Sequence, residues 1–164
     1  MISGPQEPQY SRLGMGGIQY RCDRAQRLNI TVVHGDVTVA QLQDFASRQD
    51  TDRKWHAATR SLTDLRTTRA PEITVDALGV LAALYTNMRA DDPWMRAAIV
   101  ADAAYEFGSQ YGAVRDSGWS STNAFTALEP ACAWLDADIA EVSATIEALH
   151  AEIAKSDTGG TARP

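Results

Sequence analysis

Asp64, Arg66, Thr67 and Thr68 bring an acid, a cation and two hydroxyls into one short stretch that reads as the end of a β-strand. In an open α/β sheet ligands collect at such places, because helix N-termini beside the carboxyl ends of parallel strands offer unpaired N–H groups. Asp102 and Thr126 close two further strands in the same way. The threonines are of a type that accepts a phosphoryl group. Asp64, Asp102 and Glu106 would make an acid–base set if a cleft gathered them. The commoner use of an Asp and an Arg so close together is structural: they hold loop backbone, or each other.

Other chemistries find less support. His34, His56 and His150 stand in a turn, a connection and the last helix, with no carboxylate or Cys at ligand spacing, so no metal site is expected. Cys22 and Cys132 form no C-x-x-C and are expected as reduced, mostly buried thiols. Ser117, Ser120 and Ser121 lack the G-x-S-x-G elbow and a nearby His that would make a nucleophile. Gly14, Gly16 and Gly17 precede the first strand instead of joining a strand to a helix, so they form no phosphate-cradling turn, and no cofactor is expected. Trp94, Trp119 and Trp55 sit in polar connections, where a ring anchors a partner or, more commonly, covers a helix end; Trp134 reads as core.

The elements that must position these residues follow from hydrophobic period. Gly16 to Asp23 and Leu28 to Asp36 carry β-branched and aromatic residues separated by turn formers, a hairpin pattern. Thr38 caps a helix to about Arg48 with Val39, Leu42, Phe45 and Ala46 inward. A third strand spans Ala58 to Arg66. A helix capped by Thr74 follows, with Val75, Leu78, Leu81, Ala82, Tyr85 and Met88 as its stripe. Arg96 to Asp102 is a short apolar run expected at the centre of the sheet. A helix from Ala103 to Arg115 and a strand from Thr122 to Leu128 complete the order β-β-α-β-α-β-α-β-α. That order predicts an α/β fold: a mixed, mostly parallel five-stranded sheet covered by helices.

From Leu128 the apolar residues Cys132, Leu135, Ile139, Val142, Ile146, Leu149 and Ile153 follow in alternating steps of four and three, the spacing of a heptad seam. One helix of about 26 residues at about 1.5 Å each would run to about 40 Å and project past the sheet. Its stripe would then be exposed in a monomer, which makes homodimerisation through Ile139, Val142, Ile146, Leu149 and Ile153 the expectation. The alternative is a break near Asp136-Ala137-Asp138, with the final helix folded back on its own sheet.

The 164 residues fit one domain, divided on this reading into a loose tail (1–15), the α/β unit (16–136), a C-terminal helical extension (137–155) and a second tail (156–164). A net charge of -6 with scattered arginines argues against nucleic acid and against a membrane-surface patch. Pro5, Glu7 and Pro8 stand where a signal peptide needs an apolar core, and no apolar stretch approaches the length of a membrane span, so a cytoplasmic location is expected.

The GDVTVAQLQDF start of the first helix, the LTDLR strand end, RAAIVAD with the following YEFGSQYG, and the NAFTALEPACAWL close together resemble the SpoIIAA-like domains. This is the fold shared by STAS-type anti-sigma factor antagonists, and the chain resembles its uncharacterised bacterial branch more than the true antagonists. The resemblance covers residues about 16 to 136. It implies a binding or regulatory module that acts through an unknown protein partner and has no catalytic residues. In the antagonists a D-S-G-like or D-S-S-like loop carries the phosphorylated hydroxyl. The matching stretch here is Asp64-Leu65-Arg66-Thr67-Thr68, with the hydroxyl displaced and the Gly missing. Two other uses stay open: a carrier of a small apolar ligand, as in the related CRAL-TRIO domains, lined by Leu78, Leu81, Tyr85 and Met88, and a hydrolase-type enzyme working through the strand-end carboxylates.

Overall fold

A computed structural model describes residues 16–69, 95–101 and 120–158. Five strands form one sheet in the order of the chain: β1 (Gly17–Asp23), β2 (Leu28–Asp36), β3 (Arg60–Arg69), β4 (Met95–Val100) and β5 (Ser120–Phe125). β1 and β2 are an antiparallel hairpin, and every later pairing is parallel. The described helices are α1 (Val39–Asp50), α2 (Arg53–Ala57), α3 (Leu128–Leu135) and α4 (Ile139–Thr158). The mixed, mostly parallel α/β sheet is thus the one expected, with two qualifications. The middle strand is β3, not β4, although Ala97, Ala98, Ile99 and Val100 of β4 are at most 1% exposed, as a strand covered on both faces must be. The helices expected over Thr74 to Met88 and Ala103 to Arg115 lie outside the described residues.

Strand alternation divides the interior in two. Ile18 of β1, Val33 of β2 and Leu65 of β3 face α1 and α2, where Phe45, Ala46 and Trp55 meet them. Leu28, Ile30 and Val32 of β2, with Leu62 and Ala98, face α3 and α4. α1 begins as Thr38 predicts. Its hydroxyl accepts from the Gln41 N–H (3.2 Å) and the Gln41 side chain accepts from the Thr38 N–H (2.8 Å), a complete capping box. Gln41 also donates to the Gly16 carbonyl (3.0 Å), which ties α1 to the start of β1.

α2 carried no strong sequence signal, being a single turn started by Asp52, whose carboxylate accepts from the Lys54 N–H (2.8 Å). It takes Trp55 to 2% exposure, so this ring is core and not a surface anchor.

The last helical segment takes the second of its two expected courses, with the break at Asp136 and the final helix folded back on its own sheet. It is two helices, not one. Asp136 takes the left-handed conformation (φ 54°), and its N–H reaches back to the Ala133 carbonyl (3.1 Å) while that of Ala137 reaches Cys132 (2.9 Å). This double back-bond stops a helix, and aspartate tolerates the conformation better than most residues. Arg60 donates to the carbonyls of Leu135 (2.8 Å) and Asp136 (2.7 Å), and Arg96 to that of Trp134 (3.0 Å), so two strand arginines saturate the end of α3. Asp138 then starts α4 by accepting from the Glu141 N–H (3.0 Å).

α4 turns back over β1 and β2. Val142, Ile146, Leu149 and Ile153 are at most 4% exposed in the core they share with Leu28, Ile30 and Val32. These four residues are covered by the chain's own sheet and are not presented as a seam for a partner helix. Of the residues assigned to that seam Ile139, at the start of α4, stays open at 42% exposure. The segment 137–155 is accordingly part of the α/β core, not an extension of it.

Candidate functional site

β3 runs to Arg69, three residues beyond its expected end, and this relocates the residues at the expected strand end. Val32 pairs with Asp64 but His34 pairs with Thr67, so Leu65 and Arg66 stand opposite Val33 alone. That is a bulge in a parallel ladder, a device that re-aims side chains. After it Thr67 and Thr68 resume pairing, opposite His34 and Gly35.

The bulge lets Arg66 fold back onto the residue two positions before it. Its Nε donates to Oδ1 of Asp64 (2.9 Å), its Nη2 donates to Oδ2 (3.0 Å), and its backbone N–H adds a third bond to Oδ1 (3.1 Å). The Asp64 side chain is 2% exposed and that of Arg66 34%. The sequence-level expectation that Asp64 and Arg66 hold each other is met in bidentate geometry, the strongest form of such a pair.

The hydroxyls are differently placed from the loop position implied by the resemblance. Thr67 donates to the Val33 carbonyl at 3.5 Å and Thr68 to that of Gly35 at 3.4 Å. Thr68 is buried. Both are ladder residues, so neither occupies a strand-end loop. Thr126 is exposed just beyond β5. Asp102, Glu106, Ser117, Trp94, Trp119 and the stripe of Leu78, Leu81, Tyr85 and Met88 lie outside the described residues.

Two histidines that carried no expected role complete the group. His34 continues the inward row of Leu28, Ile30 and Val32 on β2, and His150 follows Leu149 on α4. Their rings meet edge to face, 5.6 Å between centres at 90°. Nδ1 of His34 is buried with no hydrogen-bond partner among the described residues. Burial lowers the pKa of His150; the charge of Asp64 opposes that shift, while His34 and Arg66 add to it. α4 comes close here because β1 carries Gly17 beside His34 in the ladder, and a Cβ on Gly17 would meet Cγ2 of Ile153 at 2.6 Å. Period alone held the signal for this cluster: His34 falls on the apolar face of its strand, and His150 lies four residues after Ile146 and three before Ile153.

On the other face, Tyr20 donates its hydroxyl to Asp52 (2.8 Å) and packs edge-on against Phe45. Burial and then the Asp52 bond push the Tyr20 phenol well above its ordinary range. Burial would raise Asp52, but the bonds from Tyr20 and the backbone N–H groups of Lys54 and Trp55 bring it below the usual carboxylate value. Cys22 is half-buried with its thiol donating to Oδ1 of Asn29 (3.4 Å), Cys132 is buried, and neither is in a disulfide among the described residues; burial raises the Cys132 thiol. Among the described residues no three His, Cys, Asp or Glu side chains are grouped as a metal set, and no helix is long and apolar enough to cross a membrane.

No protein-family model and no curated protein matches the sequence. The fold is similar to that of a solved structure. This is an uncharacterised protein of the DUF3478 family from Shewanella loihica, with a SpoIIAA-like fold; the two chains are 14% identical, the match covers 74% of this chain and 95% of that one, and the TM-score is 0.49.

Proposed function

We propose that the chain is a non-catalytic binding module that acts through contact with another protein. The observation that carries this reading is the state of Asp64: 2% exposed, with both carboxylate oxygens held by Arg66. An acid–base catalyst needs a carboxylate within hydrogen-bond reach of substrate, and this one is spent on the sheet. The surface that remains supports a docking role. Among the described residues β1 pairs only with β2, so its outer edge offers backbone N–H and C=O groups of the kind that bind extended segments.

The test is affinity capture with the full chain, followed by titration calorimetry against the purified captured protein. A saturable complex in which neither protein is chemically altered is the expected result. Repeated turnover of a captured molecule, lost in Asp64→Asn, would overturn the reading. An apolar small molecule recovered in place of a protein would favour the carrier.

A further inference from the structure

We propose that the His34–His150 contact is a proton-operated clasp that releases the C-terminal part of α4 from the sheet under mildly acidic conditions. It goes beyond the binding role above and does not depend on it. With both rings neutral, the positive edge of one imidazole meets the π face of the other, a favourable geometry. Nδ1 of His34 is buried at this contact with no hydrogen-bond partner among the described residues, so that nitrogen has no polar tie to α4. A proton on His150 would place a second cation in the field of Arg66.

The compensating charge is already committed. The groups that act on His150 are His34 from β2 and Asp64 and Arg66 from β3. Asp64 is the one anion in this set, and Arg66 holds both of its oxygens. Protonation therefore leaves net positive charge under α4, at the point where Leu149 and Ile153 seat it on β2 and Gly17. Release of this part of the helix would uncover the two apolar residues while Val142 and Ile146, nearer α3, stay seated.

The experiment is amide hydrogen exchange on the full chain at pH 7.5 and 5.5, corrected for the intrinsic pH dependence of exchange. Protection of the amides from Leu149 to Ser156 is expected to fall several-fold at the lower pH, the direction set by the lowered pKa of the seated His150. That of Ile30 and Val32 on β2 should change far less. His150→Leu should show equal protection at both pH values, and His34→Gln provides the same test if the first variant fails to fold. Unchanged protection in the wild type, an equal fall in β2, or a fall that persists in a folded variant would each overturn the proposal.

Discussion

The imidazole of His150 on α4 stands edge-on to that of His34 on β2, 5.6 Å between ring centres, and joins the last helix to the strand just before Gly35, which takes a positive φ of 68° while still paired with Thr68 of β3. The pH dependence of stability follows from the burial of His150 at this contact, to which the charges of His34 and Arg66 add. In the unfolded chain His150 titrates near its ordinary value of 6.5, and in the fold its value is lower. Between the two values the unfolded state binds more protons. Stability is therefore full above 6.5 and falls as pH drops toward the folded value. Urea unfolding should show a lower midpoint at pH 5.5 than at 7.5, and His150→Leu should narrow the difference; an equal gap in that variant would assign the effect to other groups.

Tyr20 and Asp52 link β1 to the start of α2. Tyr20→Phe keeps the ring contact with Phe45 and removes one hydrogen bond, a loss of about 1 kcal/mol. It should also raise the Asp52 carboxyl toward its ordinary 3.8, since the Tyr20 bond is among the contacts that lower it. The stability that Asp52 contributes is present above that unfolded value and is lost as pH falls through the folded one. A pH titration of the Asp52 carboxyl by NMR in both chains checks the shift.

Gly16 and Gly17 should differ in their tolerance of alanine. A Cβ at Gly16 would lie 2.0 Å from the Asp36 carbonyl oxygen, which is backbone; at Gly17 the nearest atom belongs to the Ile153 side chain. Gly16→Ala should therefore be the more damaging in thermal unfolding. Gly17→Ala should be less costly in an Ile153→Ala background than in the wild type, a coupling that a double-mutant cycle reads directly.

Asp64→Asn should destabilise the chain by about 2 kcal/mol, less than the roughly 3 to 5 of a fully buried pair, because water can reach the Arg66 that is left behind. Asp64→Leu combined with Arg66→Met should recover part of that loss. Denaturant midpoints of the three chains decide it.

Much of the sheet was legible in the sequence because strand alternation is a local signal. Leu28 to Asp36 was located to the residue, and Thr38 named its own helix. β3 runs three residues past the end that the sequence predicts, because the extra residue of a bulge at Leu65 and Arg66 is invisible until a partner strand supplies the register. The stripe from Leu128 to Ile153 showed which residues are buried but not against what. A seam with steps of four and three serves a second chain or a sheet equally well, and the break at Asp136 depends on Arg60 and Arg96, distant in sequence. The Asp64–Arg66 pair was readable from proximity. The histidine pair joins residues 34 and 150, and no local pattern brings those together.

The central structural claim is that α4 belongs to the core, with Val142, Ile146, Leu149 and Ile153 closing one face of the sheet. Thermal unfolding of a chain ended after Leu135, followed by far- and near-ultraviolet circular dichroism beside the full chain, tests it most directly. Loss of the cooperative transition and of the near-ultraviolet signal is the predicted result. A truncated chain that unfolds cooperatively at the same temperature as the full one would contradict it and return α4 to the role of an appendage.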